Sequence, residues 1–305
     1  MGFKKTLDII IDVETVDCNA PQWNMSKWDR SIFNIGITAI ERVSRTEICS
    51  KQIGINKIWS IPRQYIRDYY RKNFTSADFD KMYETFAEFA EWFNTLMTEY
   101  SRQYSIQLWS YNAMFDKGAF ISNAERENVS LHKVCNDWKC CMILATNYLA
   151  IPITSVQFAN WTVETAYHNY LGNKEKLLEY VTPKGNIRTT AQHVYRFLSQ
   201  NKDFVELHKG LQDTQCERDI LKWCQGHKGW TKMNAGLGIG WRVVNVGFEM
   251  HKQGHLQSEI AMLTWENLAR LNEIMDKISD KPPETCHKEN GSNSENSYDS
   301  GMYAK

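Results

Sequence analysis

Near its N-terminus the chain runs Leu7, Asp8, Ile9, Ile10, Ile11 straight into Asp12, Val13, Glu14, Thr15. The β-branched run reads as a buried strand. On a strand residues i and i+2 share a face, so the carboxyl groups of Asp12 and Glu14 stand side by side. Two like charges held close together cost energy unless a cation or a shared proton compensates them, which makes this strand end a candidate divalent-metal site. A strand fraying into a polar turn gives the same local pattern, so the decision rests on partners elsewhere in the chain.

At 305 residues the chain is long enough for one main domain with additions. Its 36 basic and 36 acidic side chains cancel. That balance excludes the strongly basic footprint of a stoichiometric nucleic-acid binder and leaves room for an enzyme with a local basic groove. The eight cysteines include no C-x-x-C pair, and no secretory leader is read at the start. Free thiols in a reducing, cytoplasmic compartment are therefore expected. No apolar run approaches the roughly 18 residues of a membrane span.

Further along, residues 31–42 and 53–61 read as second and third strands of an antiparallel meander. Apolar residues at three- and four-residue steps predict a helix over 79–97. A short strand at 106–110 enters Tyr111, Asn112, Ala113, Met114, Phe115 and Asp116, then a helix to 128. A carboxylate just inside a helix that follows a strand end faces the crevice of Asp12. Residues 137–149 read as a brief strand and a helix, and 163–171 and 190–198 as helices. His208 precedes Asp213 by five residues at the entrance of a helix over 214–223, and an imidazole suits proton abstraction near neutral pH.

Other features have weaker claims. Trp23 and Trp28, after the first strand, either touch substrate at the rim or pack locally. Tyr65, Tyr69 and Tyr70 among Arg63, Arg67, Arg71 and Lys72 fit a phosphate backbone or an amphipathic surface helix. Lys174, Lys176, Lys184 and Arg188 lie in an elaboration over 173–201 and either grip nucleic acid or form a solvated face. Cys216, Cys224 and His227 lack a convincing further ligand pair for zinc. The glycines at 236, 238 and 240 lack the Lys and Ser or Thr of a nucleoside triphosphate loop. A helix over 256–278 packs on the core or on another subunit, and the polar residues from 279 onward read as disordered.

Asp12, Glu14, Asp116, His208 and Asp213 together form a coherent set, since four acids are costly to gather without metal and hard oxygen ligands favour Mg²⁺ or Mn²⁺. The pattern resembles the DEDDh 3′–5′ exonucleases at Asp12-Val13-Glu14-Thr15, at Asn112-x3-Asp116 with Phe115 before the acid, and at His208-x4-Asp213-Thr214 with Glu217 following. The Ile35-Gly36 pair resembles the family's second strand. The resemblance spans roughly residues 7–225. It implies a ribonuclease H-like α/β core with a mixed five-stranded sheet flanked by helices, and two-metal hydrolysis that releases nucleoside 5′-monophosphates from a nucleic acid with a free 3′ end.

In that resemblance Asp12 bridges two Mg²⁺ or Mn²⁺ ions, Glu14 and Asp213 hold the ion carrying the nucleophilic water, Asp116 positions the other, and His208 is the general base. Val13, Thr15, Asn112 and Phe115 fall at substrate-binding positions. Tyr111 stands where the family usually has His. The implied domain is 1–228 with an elaboration around 150–207, followed by an extension over 229–278 ending in a helix and a tail over 279–305. Single-stranded DNA is the first substrate expected, RNA the alternative, and a non-catalytic nucleic-acid-binding protein on the same fold the reading from another class. No membrane partner is implied, and the C-terminal helix offers a route to an oligomer. The chain is also similar in character to exonucleases of large bacteriophages, which would place it in a host cytoplasm.

Overall fold

A computed structural model describes residues 4–16, 31–60, 74–149, 154, 157–158, 161–162, 165, 179–180, 187–228 and 230–233. The aromatic connection after the first strand, the basic cluster at 61–73, the turn at 183–186, the glycines at 236–240, the helix read at 256–278 and the tail lie outside these residues. The chain divides into two compact units, one of residues 1–148 and 194–239, the other of 149–193 and 240–305.

The first unit is built on a six-stranded sheet. Strands β1 (Lys5–Thr15), β2 (Ile32–Glu41), β3 (Glu47–Ile55), β4 (Lys81–Tyr83), β5 (Tyr104–Ser110) and β6 (Trp138–Cys140) lie in the order β4-β3-β2-β1-β5-β6. β2 is antiparallel to β1 and β3, while β5 is parallel to β1, β6 to β5 and β4 to β3. This mixed α/β architecture is consistent with the ribonuclease H-like class, with six strands where five were expected. The extra strand is β4, at the edge. Its Met82 and Tyr83 fit the same spacing as the helix behind them, so periodicity alone merges the two.

Helix α1 (Phe86–Gln103) accordingly begins later than residue 79, where the Thr85 hydroxyl accepts the Glu88 N–H at 3.3 Å and fixes the first turn. The third strand also differs from expectation. It covers 47–55, and residues 56–59 form one helical turn. The first five residues of β3 are exposed or half-buried, Ile48 among them, so the strand extends past the core where apolar alternation gives no signal. Helices α2 (Ala113–Arg126), α3 (Cys141–Leu149), α4 (Ala191–Ser199) and α5 (Gly210–Gly226) complete the principal elements.

The two-residue period of β1 and β2 separates two kinds of packing. Leu7, Ile9, Ile11 and Val13, with Phe33, Ile35, Ile37 and Ala39, face the apolar core, which α1 and α2 fill with Phe86, Phe89, Phe93 and Phe120. These four rings meet at centroid distances of 5.4 to 5.9 Å. Burying each contributes about 1.5–3 kcal/mol, so the apolar face holds the sheet rigid.

The alternate residues Asp8, Asn34, Gly36 and Thr38 meet α5 instead. Thr38 and Thr214 hydroxyls lie 2.8 Å apart, and the Gln225 amide donates to Asp8 at 3.0 Å. Asp8 is fully buried and also accepts from Trp109 Nε1 at 2.7 Å and from both Nε (2.8 Å) and Nη2 of Arg42. An ion pair thus anchors one end of α5, and the carboxylates of interest lie at the other.

In the second unit, His193 is ringed by Phe158, Trp161 and Tyr180, and its Nε2 lies 3.0 Å from the Thr162 hydroxyl. Among the described residues of the chain, no helix is long and apolar enough to cross a membrane.

Candidate metal centre

Glu14, His208 and Asp213 each present a ligand atom within 4.8 Å of the other two. Glu14 and Asp213 are each 2 % exposed. Three chain segments converge here for local reasons. Glu14 sits near the end of β1, just before an irregularity in its pairing with β2. Asp213 lies in the first turn of α5, where the helix dipole favours negative charge. His208 takes a left-handed backbone conformation (φ 50°) two residues before that helix, which turns the chain into it.

Asp12 and Asp116 are outside that three-residue group but close in the fold. Asp12, 2 % exposed, is paired across the sheet with Gly36. Asp116 occupies the first turn of α2, accepts the N–H of Val13 at 3.1 Å on one oxygen, and receives the Ser110 hydroxyl on the other. Its carboxylate is therefore tied to the backbone between Asp12 and Glu14. The N–H of Tyr111, at the end of β5, is taken by Glu217 of α5 at 3.1 Å. Asn112 follows in a left-handed conformation (φ 104°), and its carbonyl accepts the Phe115 N–H at 2.8 Å. This sharp turn swings α2 back so that its N-terminus faces β1.

The expected substrate-contacting residues divide. Val13 is fully buried in the core, so its side chain packs rather than faces the site. Thr15 and Asn112 are half-buried, and Phe115 packs partly against the core. Beside Asp213 opens a cleft of about 310 Å³, lined among others by Tyr195, Phe204, Leu207, Gln212 and Asp219. Nothing in the local sequence marks it, because its walls come from α4, α5 and the segment between them.

The donor set suits a hard divalent cation: carboxylate oxygens with one imidazole, and no thiolate among the three. Among the described residues Cys216, Cys224 and His227 do not come together as a metal-holding group, which leaves the zinc alternative without a site. Burial raises both thiols, Cys224 to about 12. Burial, with the neighbouring Cys140 and Cys216, likewise holds the Tyr111 phenol well above its ordinary value.

Sequence reasoning missed Ser110, Asn34 and Gln52. The Asn34 side-chain oxygen accepts the Gly210 N–H at 2.9 Å, and the Gln52 oxygen accepts the Leu211 N–H at 2.6 Å. These partners are separated by 176 and 159 residues, so no local spacing reveals them.

No protein-family model matches the chain, and no curated protein matches it. Among solved structures, the chain is similar to a 3′-exonuclease that recognises the 3′ end of a histone mRNA stem-loop, at 11 % identity and a TM-score of 0.45, over 73 % of this chain and 82 % of that one. It is also similar to the nuclease domain of 3′hExo, a DEDDh family member bound to rAMP, at 10 % identity and a TM-score of 0.41, over 72 % of this chain and 91 % of that one. Both are likenesses of chain path.

Proposed function

We propose that the protein is a metal-dependent 3′–5′ exonuclease that hydrolyses the terminal phosphodiester of single-stranded DNA. The observation that supports it most is the convergence of Glu14, His208 and Asp213 within 4.8 Å. Asp116 is fastened to the backbone between Asp12 and Glu14. In this reading Asp12, Glu14, Asp116 and Asp213 hold two Mg²⁺ or Mn²⁺ ions. When bound, such ions lower the pKa of a water and neutralise charge on the scissile phosphate. His208, at the rim and half-buried, takes the proton from the attacking water and returns it to solvent. Thr15, Asn112, Phe115 and the Val13 backbone border the terminal nucleotide. Residues 1–228 form the catalytic domain, with 150–207 as its elaboration and 229–278 as an extension.

The test is hydrolysis of 5′-labelled DNA and RNA oligonucleotides with Mg²⁺ or Mn²⁺. A 3′-shortening ladder on DNA that disappears with EDTA and with Asp213→Asn is expected, and His208→Ala should lower turnover by about 10²–10⁴. A ladder on RNA alone replaces the substrate. Undiminished cleavage by Asp213→Asn rejects the site.

A further inference from the structure

Helix α5 carries Asp213 in its first turn, yet its N-cap residue is Lys209, whose side chain caps nothing. A helix start leaves four N–H groups without helical partners, and an Ser, Thr, Asp or Asn at the cap ordinarily satisfies one of them locally. Here the first two are satisfied from the sheet. Asn34 on β2 accepts from Gly210, and Gln52 on β3 accepts from Leu211. The two amides are joined, Gln52 Nε2 donating to Asn34 Oδ1 at 3.3 Å, and Asn34 Nδ2 donates to the Ile53 carbonyl at 3.0 Å. The Gln52 backbone is held in turn by both N–H and carboxylate of Asp80, at 2.8 and 2.7 Å.

A local cap would fix where the helix begins but not where it stands on the sheet. A cap supplied by β2 and β3 does both. Asn34 is the cross-strand partner of Glu14, so one residue is coupled to Glu14 through the ladder and to α5 through its side chain. Between His208 and the capped N–H groups, Lys209 is tied to Asp78 at 2.8 Å and lies 5.4 Å from the Phe74 ring centroid. Asp78 is itself gripped by the Thr75 N–H and hydroxyl. Each of three successive residues, 209, 210 and 211, therefore has its own anchor on the sheet side.

We propose that Asn34 and Gln52, assisted by the Lys209–Asp78 bridge, are positioning residues that set Asp213 against Glu14 for divalent-cation binding, with the general base His208 beside them. This rests on the metal-dependent reading above. Groups that orient metal ligands from behind typically govern affinity by 10- to 100-fold.

The test is equilibrium binding of Mn²⁺ to the full chain by titration calorimetry, with the melting temperature measured alongside. Gln52→Met keeps apolar bulk but removes the acceptor, and Lys209→Met acts at a partly exposed position where folding is tolerant. Gln225→Met breaks the contacts to Asp8 and Arg45 at the far end of the same helix. The variants Gln52→Met and Lys209→Met should weaken Mn²⁺ binding by about tenfold or more, whereas Gln225→Met should lower the melting temperature with wild-type affinity. Wild-type affinity in folded Gln52→Met or Lys209→Met, or an equal loss in Gln225→Met, overturns the proposal. Absence of Mn²⁺ binding by the wild-type chain overturns both it and the metal-dependent reading.

Discussion

Replacing Gly36 by Ala tests the contact that brings α5 onto the sheet. A Cβ at residue 36 would lie 1.9 Å from the Gly210 carbonyl carbon, 2.0 Å from its oxygen and 2.3 Å from the Leu211 nitrogen. β2 cannot give way, because it is hydrogen-bonded along both edges. The first turn of α5 must instead retreat by about 1.5 Å to restore ordinary contact. That movement breaks the bonds from Gly210 to Asn34 and from Leu211 to Gln52, which are 2.9 and 2.6 Å long. Overpacking costs about 1–3 kcal/mol and each of the two lost bonds about 1 kcal/mol, so a loss of about 3–5 kcal/mol is expected. For a domain of this size the melting temperature then falls by roughly 6–20 °C. Displacing Asp213 and His208 by more than 1 Å should lower turnover at least about 100-fold. Differential scanning fluorimetry and the oligonucleotide assay measure the two effects. Gly118→Ala is the control, since a Cβ there meets nothing within 4 Å, and in mid-helix it should be neutral or stabilising by up to about 1 kcal/mol. A Gly36→Ala protein with wild-type melting temperature and turnover refutes the reasoning.

Asp8→Ala leaves Arg42 facing a buried gap beside Trp109 and Gln225. A loss of about 3 kcal/mol in urea denaturation is expected, the low end for a broken buried pair because Arg42 is 24 % exposed, and a loss below about 1 kcal/mol contradicts the assignment. The Glu41 carboxyl is held down to about 2 by the Ser44 hydroxyl and the Val43 N–H. A folded pKa below the usual carboxylate value gives stability that is present above about pH 4.5 and lost as pH falls toward 2. Glu41→Gln should thus be less stable than wild type at pH 6 and equal to it near pH 2, read from melting temperatures. Burial raises Cys135 and Cys224 to about 12 and lifts Cys141 and Cys216 as well. Iodoacetamide at pH 8 should leave these four unlabelled in the folded protein and label them in urea, with peptide mass spectrometry as the readout.

The parts legible in the sequence were those whose signal is local. β1 shows an unbroken β-branched run, and Asp12 and Glu14 share a face because a strand has period two. Asp116 and Asp213 stand in first helical turns, where acids are favoured. The boundaries that shifted are those where one stretch satisfies two patterns. Met82 and Tyr83 fit both an edge strand and the helix after it, and the exposed start of β3 shows no apolar alternation. Asn34 and Gln52 were illegible for another reason. An amide within an apolar strand acquires meaning only from its partner, and here that partner is a backbone N–H late in the chain.

The long reach of those bonds bears on how the molecule is made. Contacts from α5 to Asn34, Gln52 and Asp8 close loops of 176, 159 and 217 residues. A ribosome therefore extrudes the whole sheet long before the helix that covers its polar face. Until residue 225 emerges, Asp8, Asn34, Gln52 and Thr38 are left to water on a sheet whose other face has already collapsed onto α1 and α2. Ile10 and Ile40, fully buried in the finished fold, lie on that same face, so fragments ending before α5 should bind hydrophobic dyes, precipitate readily and require a chaperone, since late, non-local closure is slow and leaves surface uncovered meanwhile. The helix that covers the polar face is also its lid during synthesis.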